Sequence, residues 1–116
     1  MEKIVIENND ILEEVISDLK KDLDEKNSLI KIFTKKIVKL EILKKSYSSV
    51  VNNTNKEIEK DYDSKIATII NDIKTVIKDI ETLNRRIDYL ETNGQVILKE
   101  ANKTLDEKLH FSKIRI

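Results

Sequence analysis

The sequence predicts an all-α chain: a long antiparallel two-helix hairpin of coiled-coil type with a short C-terminal helix, assembling into a helical bundle. Three observations predict it. Among 116 residues there is no Pro and one Gly, Gly94, so the strongest helix breakers are nearly absent. Charged residues make up 38% and aromatic residues 4%, a mixture that suits amphipathic helices better than a sheet domain. The most specific signal lies between residues 66 and 90, where apolar positions alternate by three and four. Written as heptads, the a column is Ile66, Ile73, Ile80 and Ile87, and the d column is Ile69, Val76, Leu83 and Leu90. Such a repeat keeps one stripe turned toward a partner helix, and knobs-into-holes packing follows.

The 116 residues form a single helical domain on this reading. A first helix is expected over about 10–47. Asp10 with Glu13 three residues on reads as its start. Leu12, Ile16, Leu19, Leu23, Ile30, Phe33, Ile37, Leu40 and Tyr47 then share one a/d phase, which Lys26 and Lys44 interrupt. Val15, Leu29, Leu43 and Val50 add a g column. The polar run after Tyr47 predicts a loop at about 48–54, because Ser and Asn side chains compete for backbone hydrogen bonds. Thr54 and Glu57 match a capping box, so a second helix is expected over about 55–93. Gly94 stands where a left-handed C′ residue belongs. Ile97, Leu98, Ala101, Leu105 and Leu109 predict a short third helix over about 95–109. The apolar runs Ile4-Val5-Ile6 and Ile114-Arg115-Ile116 read as frayed tails.

Two predicted helices of nearly equal length joined by a short polar loop favour a hairpin over one continuous helix. Charge placement agrees. Residues 7–25 hold eight acids and two lysines, while residues 31–45 hold six lysines and one acid. A parallel pair of continuous helices would set like charges side by side. The hairpin instead brings the lysine-rich end of helix 1 beside Glu57, Glu59, Asp61 and Asp63.

The apolar stripe is wider than one seam needs. Ile70 and Ile77 stand at e in helix 2, and Leu29 and Leu43 at g in helix 1. Three apolar positions in seven is the width of a helix that touches two neighbours. A protein partner is therefore expected, either a second hairpin in a homo-oligomer or the helices of another protein. The interaction seam comprises Leu29, Ile30, Phe33, Ile37, Leu40, Leu43, Ile66, Ile69, Ile70, Ile73, Val76, Ile77, Ile80, Leu83, Ile87 and Leu90.

Chemistry is not expected. With no Cys and a single His, His110, neither a metal site nor a nucleophile–base pair assembles, and no cofactor is expected. The carboxylates lie between lysines on solvated faces, away from any cleft that would tune them for acid–base work. The chain reads as no enzyme. Lys31, Lys35 and Lys39 form an i, i+4 ladder that could meet an anionic membrane surface or nucleic acid. A net charge of zero weighs against nucleic acid. No apolar run approaches the ~20 residues of a membrane span or the ~7–15 of a signal peptide, so the cytoplasm is expected.

The functional expectation is a non-catalytic interaction protein: an adaptor, assembly factor or structural module. In outline, a chain of this length folding as two antiparallel helices also resembles the WXG100-like proteins and the small helical partners of LXG toxins in type VII secretion. That resemblance implies export without a cleavable signal peptide. The loop at 48–55 has no Trp and no Gly, which departs from the family pattern. No Tyr-x-x-x-Asp/Glu signal is present either: Tyr47, Tyr62 and Tyr89 are followed four residues on by Val51, Ile66 and Asn93.

Overall fold

The structure is a computed structural model that describes the backbone of residues 9–114 and the side chains of residues 10–110. Two long helices account for nearly all of it: α1 (Asn9–Val50) and α2 (Lys56–Ile114). No strand occurs among the described residues. The described chain falls into two compact units, and each helix contributes a segment to both.

The first unit, residues 23–82, is a helical hairpin. Its two segments run antiparallel, as the contacts of Lys44 with Asp63 and of Ser48 with Glu59 require. α1 runs to Val50, three residues past the expected end. The serines explain the extension. Ser46 Oγ donates to the Leu43 carbonyl at 2.8 Å and Ser49 Oγ donates to the Lys45 carbonyl at 2.8 Å. These hydroxyls bond back onto the preceding turn instead of competing with it. The connection is thus residues 51–55.

Asn55, not Thr54, caps α2. Its Oδ1 accepts from the Glu57 N–H at 2.9 Å, and its carbonyl accepts the N–H groups of Ile58 and Glu59 at 3.1 and 3.2 Å. Asn is at least as good a cap as Thr. Tyr47 fixes it in place, because the Asn55 N–H donates to Tyr47 Oη at 2.8 Å. The last seam residue of α1 therefore sets where α2 begins. Inside the hairpin Ile66 and Val76 are buried, and Ile30, Phe33, Ile37, Leu40, Ile69, Ile73 and Ile80 are half-buried along the same seam.

The second unit joins the start of α1, up to Asp22, with α2 from Leu83 onward. These segments are also antiparallel: Lys20 pairs with Glu91 at 3.4 Å, and Leu12 lies against Gly94. Leu19, Leu83, Ile87 and Leu98 are buried here. α1 already includes Asn9, so Asp10 lies in the first turn and is not the cap. A carboxylate there still complements the helix dipole.

Gly94 takes no left-handed conformation. α2 extends to Ile114, but its course is interrupted at Asn93, whose φ and ψ of −120° and 17° are not helical, so two helical stretches meet at a kink just before Gly94. The 59 residues of α2, against 42 in α1, thus comprise helical stretches on either side of Asn93. Gly94 is the next a position after Ile87, and a Cβ placed there would lie 3.1 Å from Leu12 Cδ1. The missing side chain lets Leu12 close onto the backbone, and the apolar stripe resumes at Ile97 and Leu98. Residues 3–6 and 115–116, read as tails, lie outside the described residues.

Candidate interaction surfaces

The seam and the surplus apolar columns differ in burial, apart from Leu29 at g, which is half-buried like the seam. Of the sixteen residues assigned to the interaction seam, Ile66, Val76, Leu83 and Ile87 are buried. Leu29, Ile30, Phe33, Ile37, Leu40, Ile69, Ile73, Ile80 and Leu90 are half-buried. Leu43, Ile70 and Ile77 are exposed, at 50%, 40% and 41%. The a and d positions thus close the helix pairs, while the e positions of α2 and Leu43 at g stay outside. No described side chain is completely buried. Two helices alone cannot enclose one.

A further set of exposed apolar side chains was not anticipated. Ile32, Val38 and Ile42 occupy c, b and f of α1, turned away from the seam, at 49%, 51% and 61% exposure. They sit among Lys31, Lys35 and Lys39, all exposed. The signal was present in the sequence, since a fully solvated face has no need of Ile or Val. The lysine ladder at Lys31, Lys35 and Lys39 masks it, because these apolar residues fall between the charges. Lys36 has its ammonium 5.7 Å from the centroid of Phe33, a cation–π contact one turn along the same helix.

The two polar interruptions of the seam differ in what they touch. Lys44, at an a position, snorkels out of the hairpin and donates to Asp63 Oδ1 at 2.7 Å. That hydrogen bond is the main reason its ammonium is held above the ordinary lysine pKa. Partial desolvation opposes the shift, and the charges of Asp63, Glu41 and Glu59 assist it. Lys26 is half-buried.

The second unit carries two open grooves. One, of about 250 Å³, is almost wholly apolar and is lined by residues including Leu12, Val15, Ile97, Leu98 and Leu105. The other, of about 370 Å³, lies beside the Asn93 kink and is lined by Leu12, Ile16 and residues 90–96. Among the described residues no group of three acidic or imidazole side chains is arranged to hold a metal ion. His110 is exposed on α2. No helix among the described residues is long and apolar enough to cross a membrane. What the arrangement offers is apolar area beside charge, the chemistry of association between helices. Set beside known proteins, the chain matches no family model, no curated protein and no solved structure.

Proposed function

We propose that this chain is a non-catalytic helical interaction module, which self-associates or docks on the helices of a partner protein as an adaptor or assembly factor. One observation carries the reading. The hairpin of residues 23–82 closes its own seam yet leaves eight large apolar side chains exposed, among them Ile32, Ile42, Leu43, Ile70 and Ile77. Their exposures run from 40% to 81%, so completing the burial of each is worth on the order of 1 kcal/mol. Eight such side chains on one hairpin exceed a few scattered surface residues, and exposed apolar surface of that extent marks interaction sites. Affinity comes from these side chains and selectivity from the charges around them.

Absolute molar mass by light scattering across a concentration series tests this. The wild-type chain is expected above its 13.5 kDa monomer mass, or as a monomer of low thermal stability that waits for a foreign helix. The double variant Ile70→Ser/Ile77→Ser is expected to weaken association while keeping its helical circular dichroism. A wild-type chain that stays monomeric and melts as a fully stable domain would remove the reading.

A further inference from the structure

We infer that the partner is a second copy of this chain: the basic outward face of α1 at residues 31–45 takes the acidic outward face of α1 at residues 13–25 of that copy, with the two helices antiparallel. This rests on the interaction reading above and gives it a partner and a surface.

Opposite its seam, α1 carries a second stripe spaced by three and four. Over the first half the stripe is mainly acidic, with Glu14, Asp18 and Glu25 and with Lys21 among them, all exposed. Over the second half it is basic and apolar, with Ile32, Lys35, Lys39 and Ile42, also exposed. The ion pairs Lys20–Glu91, Lys44–Asp63 and Lys65–Asp61 use none of the charges on this stripe. The stripe therefore has the spacing a helix partner needs and carries charge that none of these ion pairs uses.

Antiparallel placement of a second α1 finds one register that satisfies the stripe. Glu14 of one copy faces Lys39 of the other, and Asp18 faces Lys35. In the same register Ile32 lies against the aliphatic stem of Lys21. A parallel arrangement sets Lys35 and Lys39 against their own copies and is repelled. So is an antiparallel one centred on the lysines. An anionic lipid surface would accept the lysines but needs no three-and-four spacing, and it gives the acidic half of the stripe nothing to do. Each copy carries both faces. A reciprocal contact closes a dimer and a one-sided contact propagates to larger species, and either form supports the assignment.

Exposed ion pairs are individually weak and screened by salt, so the association is weak and salt-sensitive. Sedimentation equilibrium of the full chain, with circular dichroism as the folding check, tests it. Lys35→Glu/Lys39→Glu is expected to weaken self-association by roughly tenfold or more, and Glu14→Lys/Asp18→Lys to do the same. Mixing the two variants restores association between unlike chains, and combining all four substitutions in one chain restores self-association. Raising salt from about 0.05 to about 1 M weakens the wild type.

The assignment is overturned if the wild type is monomeric throughout, or if Lys35→Glu/Lys39→Glu associates as the wild type does. It is equally overturned if the mixture fails to restore association. The same holds if the wild type stays monomeric but cosediments with phosphatidylserine vesicles through Lys35 and Lys39, since the face then serves lipid. Association that survives the charge reversal but fails in Ile70→Ser/Ile77→Ser would leave the interaction reading standing and remove this one alone.

Discussion

The two units are built from the same two helices, yet they spend their apolar residues differently. Among the described residues, four of the six buried apolar side chains, Leu19, Leu83, Ile87 and Leu98, belong to the unit made of the start of α1 and the end of α2. Of the eleven described large apolar side chains that are exposed, eight belong to the hairpin of residues 23–82. One unit turns its apolar residues inward and is held by them. The other is held by fewer buried side chains and presents the remainder to the outside. Buried and exposed apolar side chains are thus concentrated in different stretches of the two helices.

The largest effects should come from the better-buried unit. Leu83 is the most buried apolar side chain, at 4% exposure. Leu83→Ala removes its branched end from between the helices, and a loss of about 2–4 kcal/mol is expected in urea denaturation. Ile42→Ala, on the exposed face of the hairpin, should cost less than about 0.5 kcal/mol at concentrations where the chain is monomeric. If the two variants cost the same, the contrast between the units is wrong.

Next in size is the cap. Asn55 satisfies the Glu57 N–H and is itself held by Tyr47. Asn55→Ala should cost about 1 kcal/mol. Tyr47→Phe should cost about 0.5–1 kcal/mol, because the Asn55 N–H loses its acceptor to water and not to an apolar void. Hydrogen exchange should place the loss at the start of α2, within the hairpin. A loss that appeared instead at Leu83 or Leu98 would mean that the units do not respond separately.

Gly94→Ala sharpens the comparison from the other side. Gly within a helix is less favourable than Ala by about 1 kcal/mol. Opposing that gain, the new methyl would stand 3.1 Å from Leu12 Cδ1. Leu12 is half-buried and borders the open grooves of its unit, so the end of its side chain has room to shift. A net stabilisation of roughly 0.5 kcal/mol is expected in thermal melts. A destabilisation instead would show that Leu12 is held in place and that the missing Cβ is a packing requirement.

How much of this was legible in the sequence follows from which interactions are local. The heptads from Ile66 to Leu90 specified both helical character and which face turns inward, since a repeat of that length leaves little choice. The surplus width at Ile70, Ile77 and Leu43 was legible for the same reason. The ends of the elements were not. Ser46 and Ser49 have two options, to break the helix or to bond back onto it, and only the surrounding packing chooses. Gly94 after Thr92-Asn93 carries every local sign of a C-cap. The chain kinks at Asn93 without a left-handed residue, and Leu12, some eighty residues away in sequence, lies against Gly94. The outward stripe of α1 was missed for a different reason: Ile32, Val38 and Ile42 match no seam, and a search for the seam passes over them.

The smallest expected effect is a pH dependence confined to the hairpin. The Lys44 ammonium is held above its ordinary pKa chiefly by the hydrogen bond to Asp63. A group whose folded pKa is raised binds its proton more tightly in the folded state than in the unfolded one. Its contribution is complete below the unfolded value near 10.5 and is lost as pH rises through the folded value. Between about pH 9 and 11.5 the wild-type melting temperature should therefore fall slightly more steeply than that of Asp63→Asn, which lacks the carboxylate. The carboxylate of Asp63 is largely solvated, at 56% exposure, so solvent screening keeps the difference small. Parallel pH profiles for the two chains would mean that Lys44 leaves the seam to reach water, with Asp63 a bystander. A steeper wild-type profile would identify this pair as one polar lock on the register of a hairpin whose seam is otherwise apolar.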